Sequence, residues 1–279
     1  MKSTQFQITT TDNLKLAGLL WEPSQKPRLV VCLVHGLGEH IGRYIHVAKA
    51  FTQAGFAFIG VDLRGHGKSE GPRGHIPNYD LLLDDITMLI EKTEERFPDL
   101  PRVLYGHSLG GNAVLNYILR RSHTLKGSIT TAPWLRLAFE PPALQVTLAR
   151  LMNRLWPSFT QANNLDTSAL SHDQSIVRAY EEDPLVHDRV TARLFAEFYE
   201  AGFWALQHAE ELKTDLLLMC GKEDRIISPD ACREFATKAG KRCSFRPWDG
   251  LYHEIHNEYE KDQVLAEMIG WLNAMPGSK

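Results

Sequence analysis

Short, unbroken apolar runs recurring between helical stretches constrain this chain more than any other feature. Residues 29–34, 57–61 and 103–105 are apolar, and 127–131 is rich in β-branched residues, none of them with a regular polar alternation. Such runs predict strands covered on both faces. The stretches 44–54, 79–97 and 108–120 read as helices, and strands alternating with helices imply parallel βαβ units in a doubly wound sheet. Ahead of them, β-rich segments 5–10 and 14–21 flank Asp12-Asn13, a turn-forming pair, and predict an opening hairpin on the sheet's edge.

The rhythm breaks at Ala132-Pro133-Trp134 and resumes with a strand at 215–220, a helix at 229–239, a strand at 244–248 and a last helix from about 258 to 272. Between them, 134–209 shows several helical segments and no evident strand. It predicts a helical cap inserted into one α/β domain spanning 1–279. Pro141-Pro142 can open a helix, and Leu144, Leu148, Leu151 and Leu155 follow at helical spacing. With Trp156 and Phe159 they exceed what a short surface helix needs. They either pack as a core-facing stripe or line a dry pocket for an apolar chain, with Leu148 the named lining candidate. The same cap would allow transient contact with a membrane or micelle surface.

A chain of 279 residues, 43% hydrophobic and 23% charged, can bury a sizeable core. Its formal charge of -3 and lack of any Lys/Arg-rich run offer nucleic acid no basic stripe. The polar residues 1–11 do not resemble a signal peptide, and no apolar run approaches the roughly 18 residues that span a bilayer. A cytoplasmic location is expected. The four cysteines are scattered, Cys32 and Cys220 inside apolar runs, and all read as free thiols. No C-x-x-C pair occurs, and His253-Glu254-Ile255-His256 is one residue short of H-E-x-x-H. Neither metal nor cofactor is expected.

Gly106-His107-Ser108-Leu109-Gly110 sits between a strand and a helix, the context in which G-x-S-x-G forms a nucleophile elbow. The glycines permit close backbone approach, and the helix N-terminus favours developing negative charge. A serine hydroxyl needs a base, and the base needs a group to fix its tautomer. Chain order on this kind of sheet predicts serine, acid, histidine. Asp224 follows the strand at 215–220, ahead of its rivals Glu223 and Asp230; Asp230 is explained by a helix dipole. His253 follows the last strand, with His256 as its nearest competitor. An oxyanion would be met by the N–H groups of Leu109 and of Leu37, the latter in the turn His35-Gly36-Leu37-Gly38.

The blocks His35-Gly36-Leu37-Gly38-Glu39-His40, Gly42-Arg43-Tyr44, Asp62-Leu63-Arg64-Gly65-His66-Gly67-Lys68-Ser69-Glu70-Gly71, Gly106-His107-Ser108-Leu109-Gly110-Gly111 and Tyr252-His253-Glu254-Ile255-His256 together resemble monoacylglycerol lipases and their lysophospholipase-like relatives. The resemblance spans nearly the whole chain. It implies an α/β-hydrolase fold with an eight-stranded sheet, a cap over an apolar acyl tunnel, and cofactor-free hydrolysis of medium- to long-chain monoacylglycerols. It assigns the triad to Ser108, Asp224 and His253 and the oxyanion hole to Leu37 and Leu109. It places Glu39, Arg43 and His256 near the glycerol headgroup, where Glu39 and Arg43 could equally form a supporting ion pair. The 62–71 block reads as a tight connecting loop, since it lacks the spacing of a phosphate-binding loop. Asp183-Pro184-Leu185-Val186 resembles a family element in the cap. A broad carboxylesterase or a lysophospholipase would use identical chemistry, and a non-catalytic ligand-binding protein could share the fold.

Overall fold

The computed structural model describes residues 1–275; the last four residues of the expected 1–279 domain lie outside them. The chain runs β1 (Lys2–Thr9), β2 (Lys15–Glu22), β3 (Val30–Val34), α1 (Ile45–Gln53), β4 (Ala57–Val61), α2 (Tyr79–Arg96), β5 (Arg102–His107), α3 (Leu109–Arg120) and β6 (Gly127–Thr131). An insertion then carries α4 (Ala143–Leu155), β7 (Thr160–Ala162), α5 (Gln174–Glu181), β8 (Arg189–Thr191) and α6 (Ala192–Gln207). The chain returns with β9 (Leu216–Gly221), α7 (Pro229–Ala239), β10 (Cys243–Trp248) and α8 (Lys261–Ala274).

Eight strands form one sheet in the order β1-β2-β4-β3-β5-β6-β9-β10. The first hairpin is antiparallel and joins β4 antiparallel; the remaining pairs are parallel. Asn13 takes a left-handed φ of 64° in the hairpin turn, a conformation that asparagine tolerates better than most residues. This is the α/β-hydrolase fold. Side chains along β3 alternate between two cores: Val30, Cys32 and Val34 pack with α2, α3 and α7, while Val31 and Leu33 pack with α1 and α8. Both faces being covered is what the unbroken apolar runs require.

The insertion departs from a purely helical reading. Thr160–Ala162 and Arg189–Thr191 form a short antiparallel ribbon, too brief to leave an alternating pattern in the sequence. Helix α6 buries Leu194, Phe198, Ala201 and Ala205 against the core. Asn112 and Asn116 of α3 tie it down, donating to the carbonyls of Phe198 and Ala201 at 3.2 Å each.

Candidate active site

Ser108 stands between β5 and α3 with φ 53° and ψ −116°, a conformation that costs a non-glycine residue about 1–3 kcal/mol. Its surroundings leave little alternative. A Cβ at Gly106 would lie 2.4 Å from the Gly110 carbonyl oxygen, and one at Gly110 would lie 2.0 Å from that of Val34. The two glycines let α3 start against the ends of β3 and β5, so the serine turns out at the sheet's carboxyl edge. Backbone bonds from Ser108 N–H to Thr131 O (2.9 Å) and from Trp134 N–H to Ser108 O (3.0 Å) hold the turn.

The structure brings Ser108, His253 and Asp224 into one hydrogen-bonded line. Ser108 Oγ is 2.9 Å from His253 Nε2, and His253 Nδ1 is 2.7 Å from Asp224 Oδ2. Asp224 Oδ1 accepts from the N–H groups of Ile226 (2.8 Å) and Ile227 (2.9 Å), which aims the other oxygen at the imidazole. Asp224 and His253 are buried, and Ser108 is partly accessible. Burial opposes protonation of His253, but the charge and hydrogen bond of Asp224, with help from Glu254 and Glu39, outweigh it and raise its pKa above the ordinary 6.5. The rivals lie elsewhere: Glu223 and Asp230 are exposed. His256 is a packed, neutral ring, stacked on Tyr44 at 5.0 Å and meeting His107 edge-on at 4.7 Å, with burial pushing its pKa down to about 3.

The turn after β3 lies beside the serine: a Cβ at Gly36 would sit 3.4 Å from Ser108 Cβ. Leu37 follows directly, and Leu109 N–H is at the start of α3, where helix donors have no partner within the helix. Glu39 holds the turn by accepting from Gly36 N–H (2.6 Å) and Tyr44 Oη (2.7 Å) through one oxygen and from Arg43 (2.8 Å) through the other. Arg43 also grips both oxygens of Glu254 at 2.7 and 2.8 Å. Glu39, Glu254 and His256 are buried and Arg43 nearly so. Glu39 and Arg43 are engaged by protein partners, and His256 is packed among the rings of Tyr44, His46 and His107. Glu254, quoted only as part of a sequence block, is the residue that residue-by-residue reading missed; its proximity to Arg43 spans 211 positions of chain.

The 62–71 block is a stapled turn. Asp62 accepts from the N–H groups of Ile41 (2.9 Å) and Lys68 (2.7 Å), and buried Arg64 clamps Asp85 at 2.6 and 2.8 Å.

The cap stripe requires a correction. Leu144, Leu148, Leu151 and Leu155 do share one face of α4, but that face is open to solvent, with Leu148 54% exposed. A flanking side of α4 forms a groove of about 850 Å³ with α6, lined in part by Leu137, Val146, Thr147, Tyr199 and Phe203. Helical spacing marks a shared face without saying which way it points. Neither Leu148 nor any of Ser108, Asp224 and His253 lines this groove. Tyr199 and Phe203 of the groove lining end a packed aromatic row that runs from Trp134, whose backbone N–H donates to Ser108 O, to Phe195 (6.0 Å), Tyr199 (5.6 Å) and Phe203 (5.1 Å).

Residues 25–260 match the family model described as serine aminopeptidase, S33. A monoacylglycerol lipase of Mycolicibacterium smegmatis is 33% identical over 255 residues, covering 91% of each chain. An uncharacterized abhydrolase domain-containing protein of Dictyostelium discoideum is 33% identical over 282 residues; the match takes in 98% of this chain, which spans only 29% of that protein. Among solved structures, a Paleococcus ferrophilus monoacylglycerol lipase superposes with a TM-score of 0.85 at 33% identity, covering 92% of this chain and 98% of that one.

Proposed function

The chain belongs to the family of serine α/β-hydrolases that includes the monoacylglycerol lipases, and on that premise we propose that it cleaves carboxylic esters, monoacylglycerols foremost, to free fatty acid and glycerol. The hydrogen-bonded line from Ser108 through His253 to Asp224 carries the reading.

His253 Nε2 takes the Ser108 proton as Oγ attacks the ester carbonyl, and Asp224 stabilises the imidazolium that forms. The carbonyl oxygen becomes an oxyanion met by the Leu37 and Leu109 N–H groups. As the intermediate collapses, His253 protonates the leaving glycerol and the acyl group stays on Ser108. Water then gives a proton to His253 and attacks the acyl-enzyme; as this second intermediate collapses, His253 returns the proton to Ser108 Oγ and the fatty acid leaves. Glu39, Arg43 and His256 serve by fixing the loops that carry Leu37 and His253.

The acyl chain follows Trp134, Phe195, Tyr199 and Phe203 towards the groove under α4. Exposed Leu144, Leu148, Leu151, Leu155 and Trp156 rest transiently on a membrane or micelle surface, where such substrates reside. No helix among the described residues is long and apolar enough to cross a membrane. Cytoplasmic placement rests on the free state of Cys32, Cys220, Cys232 and Cys243.

The test compares specificity constants for a monoacylglycerol, a lysophosphatidylcholine and a simple ester with the same acyl chain. The monoacylglycerol should be preferred. A preference for lysophosphatidylcholine would make the protein a lysophospholipase, and equal rates on all three would make it a broad carboxylesterase.

A further inference from the structure

The Asp183-Pro184-Leu185-Val186 block takes no part in the chemistry above, yet it lies against the turn that carries Leu37. His40 Nδ1 accepts from Gly42 N–H at 3.1 Å, so the ring's proton is on Nε2, which donates to Asp183 Oδ2 at 2.8 Å. Asp183 Oδ1 accepts from Leu185 N–H at 2.9 Å, and Val186 N–H returns to the Asp183 carbonyl at 3.1 Å. The carboxylate is thereby fixed at the head of a tight turn. Burial raises the Asp183 carboxyl, but the bonds from His40 and Leu185 N–H outweigh it and hold it below the ordinary carboxylate range.

The contact continues past the aspartate. His187 N–H donates to Gly38 O at 2.9 Å, and His187 Nε2 is 3.0 Å from Gly65 O. Gly38 has φ +76°, and a Cβ there would lie 2.3 Å from the His187 carbonyl oxygen. The ring of Tyr180 lies 4.8 Å beneath the Arg43 guanidinium. Leu37 is thus held on both sides: Glu39 binds Gly36 N–H from within, and the cap binds Gly38 O and His40 from outside.

We propose that Asp183, acting through His40, is a positioning residue that fixes the Leu37 N–H as an oxyanion donor, making this part of the cap a wall of the active site. The inference rests on the reading of Ser108 as an ester-cleaving nucleophile. Oxyanion donors act only where charge develops, so losing their alignment lowers kcat rather than ground-state binding.

The experiment measures steady-state kinetics on a soluble butyryl ester for wild type, Asp183→Ala, His40→Ala and the double variant, with folding checked by thermal melting. Where Asp183→Ala does not fold, Asp183→Ser replaces it, keeping an acceptor for Leu185 N–H while removing the carboxylate from His40. Inhibition by an alkyl trifluoromethyl ketone, which adds the serine oxygen and generates an oxyanion, is compared with inhibition by the matching alcohol, which does not. Removing a whole donor costs about 100- to 1,000-fold, so a displaced one should lower kcat by about 10- to 100-fold with KM little changed. Ketone affinity should fall by the same factor, alcohol affinity should hold, and the double variant should be no worse than the poorer single. An unchanged kcat, a rise in KM alone, equal losses for ketone and alcohol, or additive losses in the double variant would overturn the proposal. A wild type that cleaves no ester and does not favour the ketone would overturn the functional reading together with this one. A wild type that does both, beside variants that match it, overturns this one alone.

Discussion

Arg43 grips both carboxylate oxygens of Glu254, at 2.7 and 2.8 Å, while also bonding Glu39 at 2.8 Å. Glu254 is the neighbour of His253, and Glu39 holds the Gly36 turn, so one guanidinium joins the loop of His253 to the loop of Leu37. Removing it strands two buried carboxylates. Arg43→Met should destabilise the fold by about 3–5 kcal/mol, the usual cost of breaking a buried pair. Urea unfolding measures it, and a loss no larger than the roughly 1 kcal/mol of a surface pair would contradict the account.

Glu254 should also shape acid stability. Burial raises its carboxyl, but Arg43 outweighs that and holds it at about 2, against an ordinary 4.5. Its contribution is therefore present in full above about pH 4.5 and lost as pH falls towards 2. The stability gap between wild type and Glu254→Gln should narrow over that window in urea titrations at stepped pH. A gap that widened with acid would reverse the assigned sign.

Ser108→Ala and His253→Ala should each remove turnover by up to about a million-fold, because neither group works without the other. Asp224→Asn should cost about ten-thousand-fold, through the wrong tautomer. Single-turnover rates on an activated ester decide. An inactive His256→Ala beside an active His253→Ala would exchange the two histidines.

The pH profile of kcat/KM should fall on the acid side with a midpoint above the ordinary imidazole value of 6.5, since the raised pKa of His253 keeps the ring charged, and unable to accept the serine proton, to higher pH. Glu254→Gln should move the midpoint down by removing one of the charges that raise it. EDTA should leave the profile unchanged. A midpoint below 6.5, or one that rises in the variant, would contradict the electrostatics.

Two faces of α4 should separate in kinetics. Filling the groove with Val146→Trp should lower the ratio of decanoyl to butyryl specificity constants, because each methylene buried there contributes about 0.8 kcal/mol. Leu148→Asp, on the solvent face, should leave that ratio unchanged for dispersed esters and lower the rate on vesicle-borne monoacylglycerol. The reverse pattern would return Leu148 to the acyl path.

The sheet and the chemical line were legible because they rest on local signals. Unbroken apolar runs such as 57–61 coincide with a strand buried on both faces, and the glycines flanking Ser108 mark a turn that little else could occupy. What stayed hidden depends on direction or on distance along the chain. The leucines of α4 announce a face, but whether it meets a groove or water is decided by how α6 packs on α3. The bonds of Glu254 to Arg43 and of Asp183 to His40 join residues 211 and 143 positions apart. No short-range pattern could pair them.

The central claim is that Ser108 carries the acyl group. Rapid acid quench of the enzyme with a p-nitrophenyl ester, followed by peptide mass spectrometry, tests it most directly. The account predicts a burst of p-nitrophenol and an acyl adduct on the peptide containing Ser108, both absent in Ser108→Ala. Turnover that persists in Ser108→Ala, or an adduct on another residue, would contradict it.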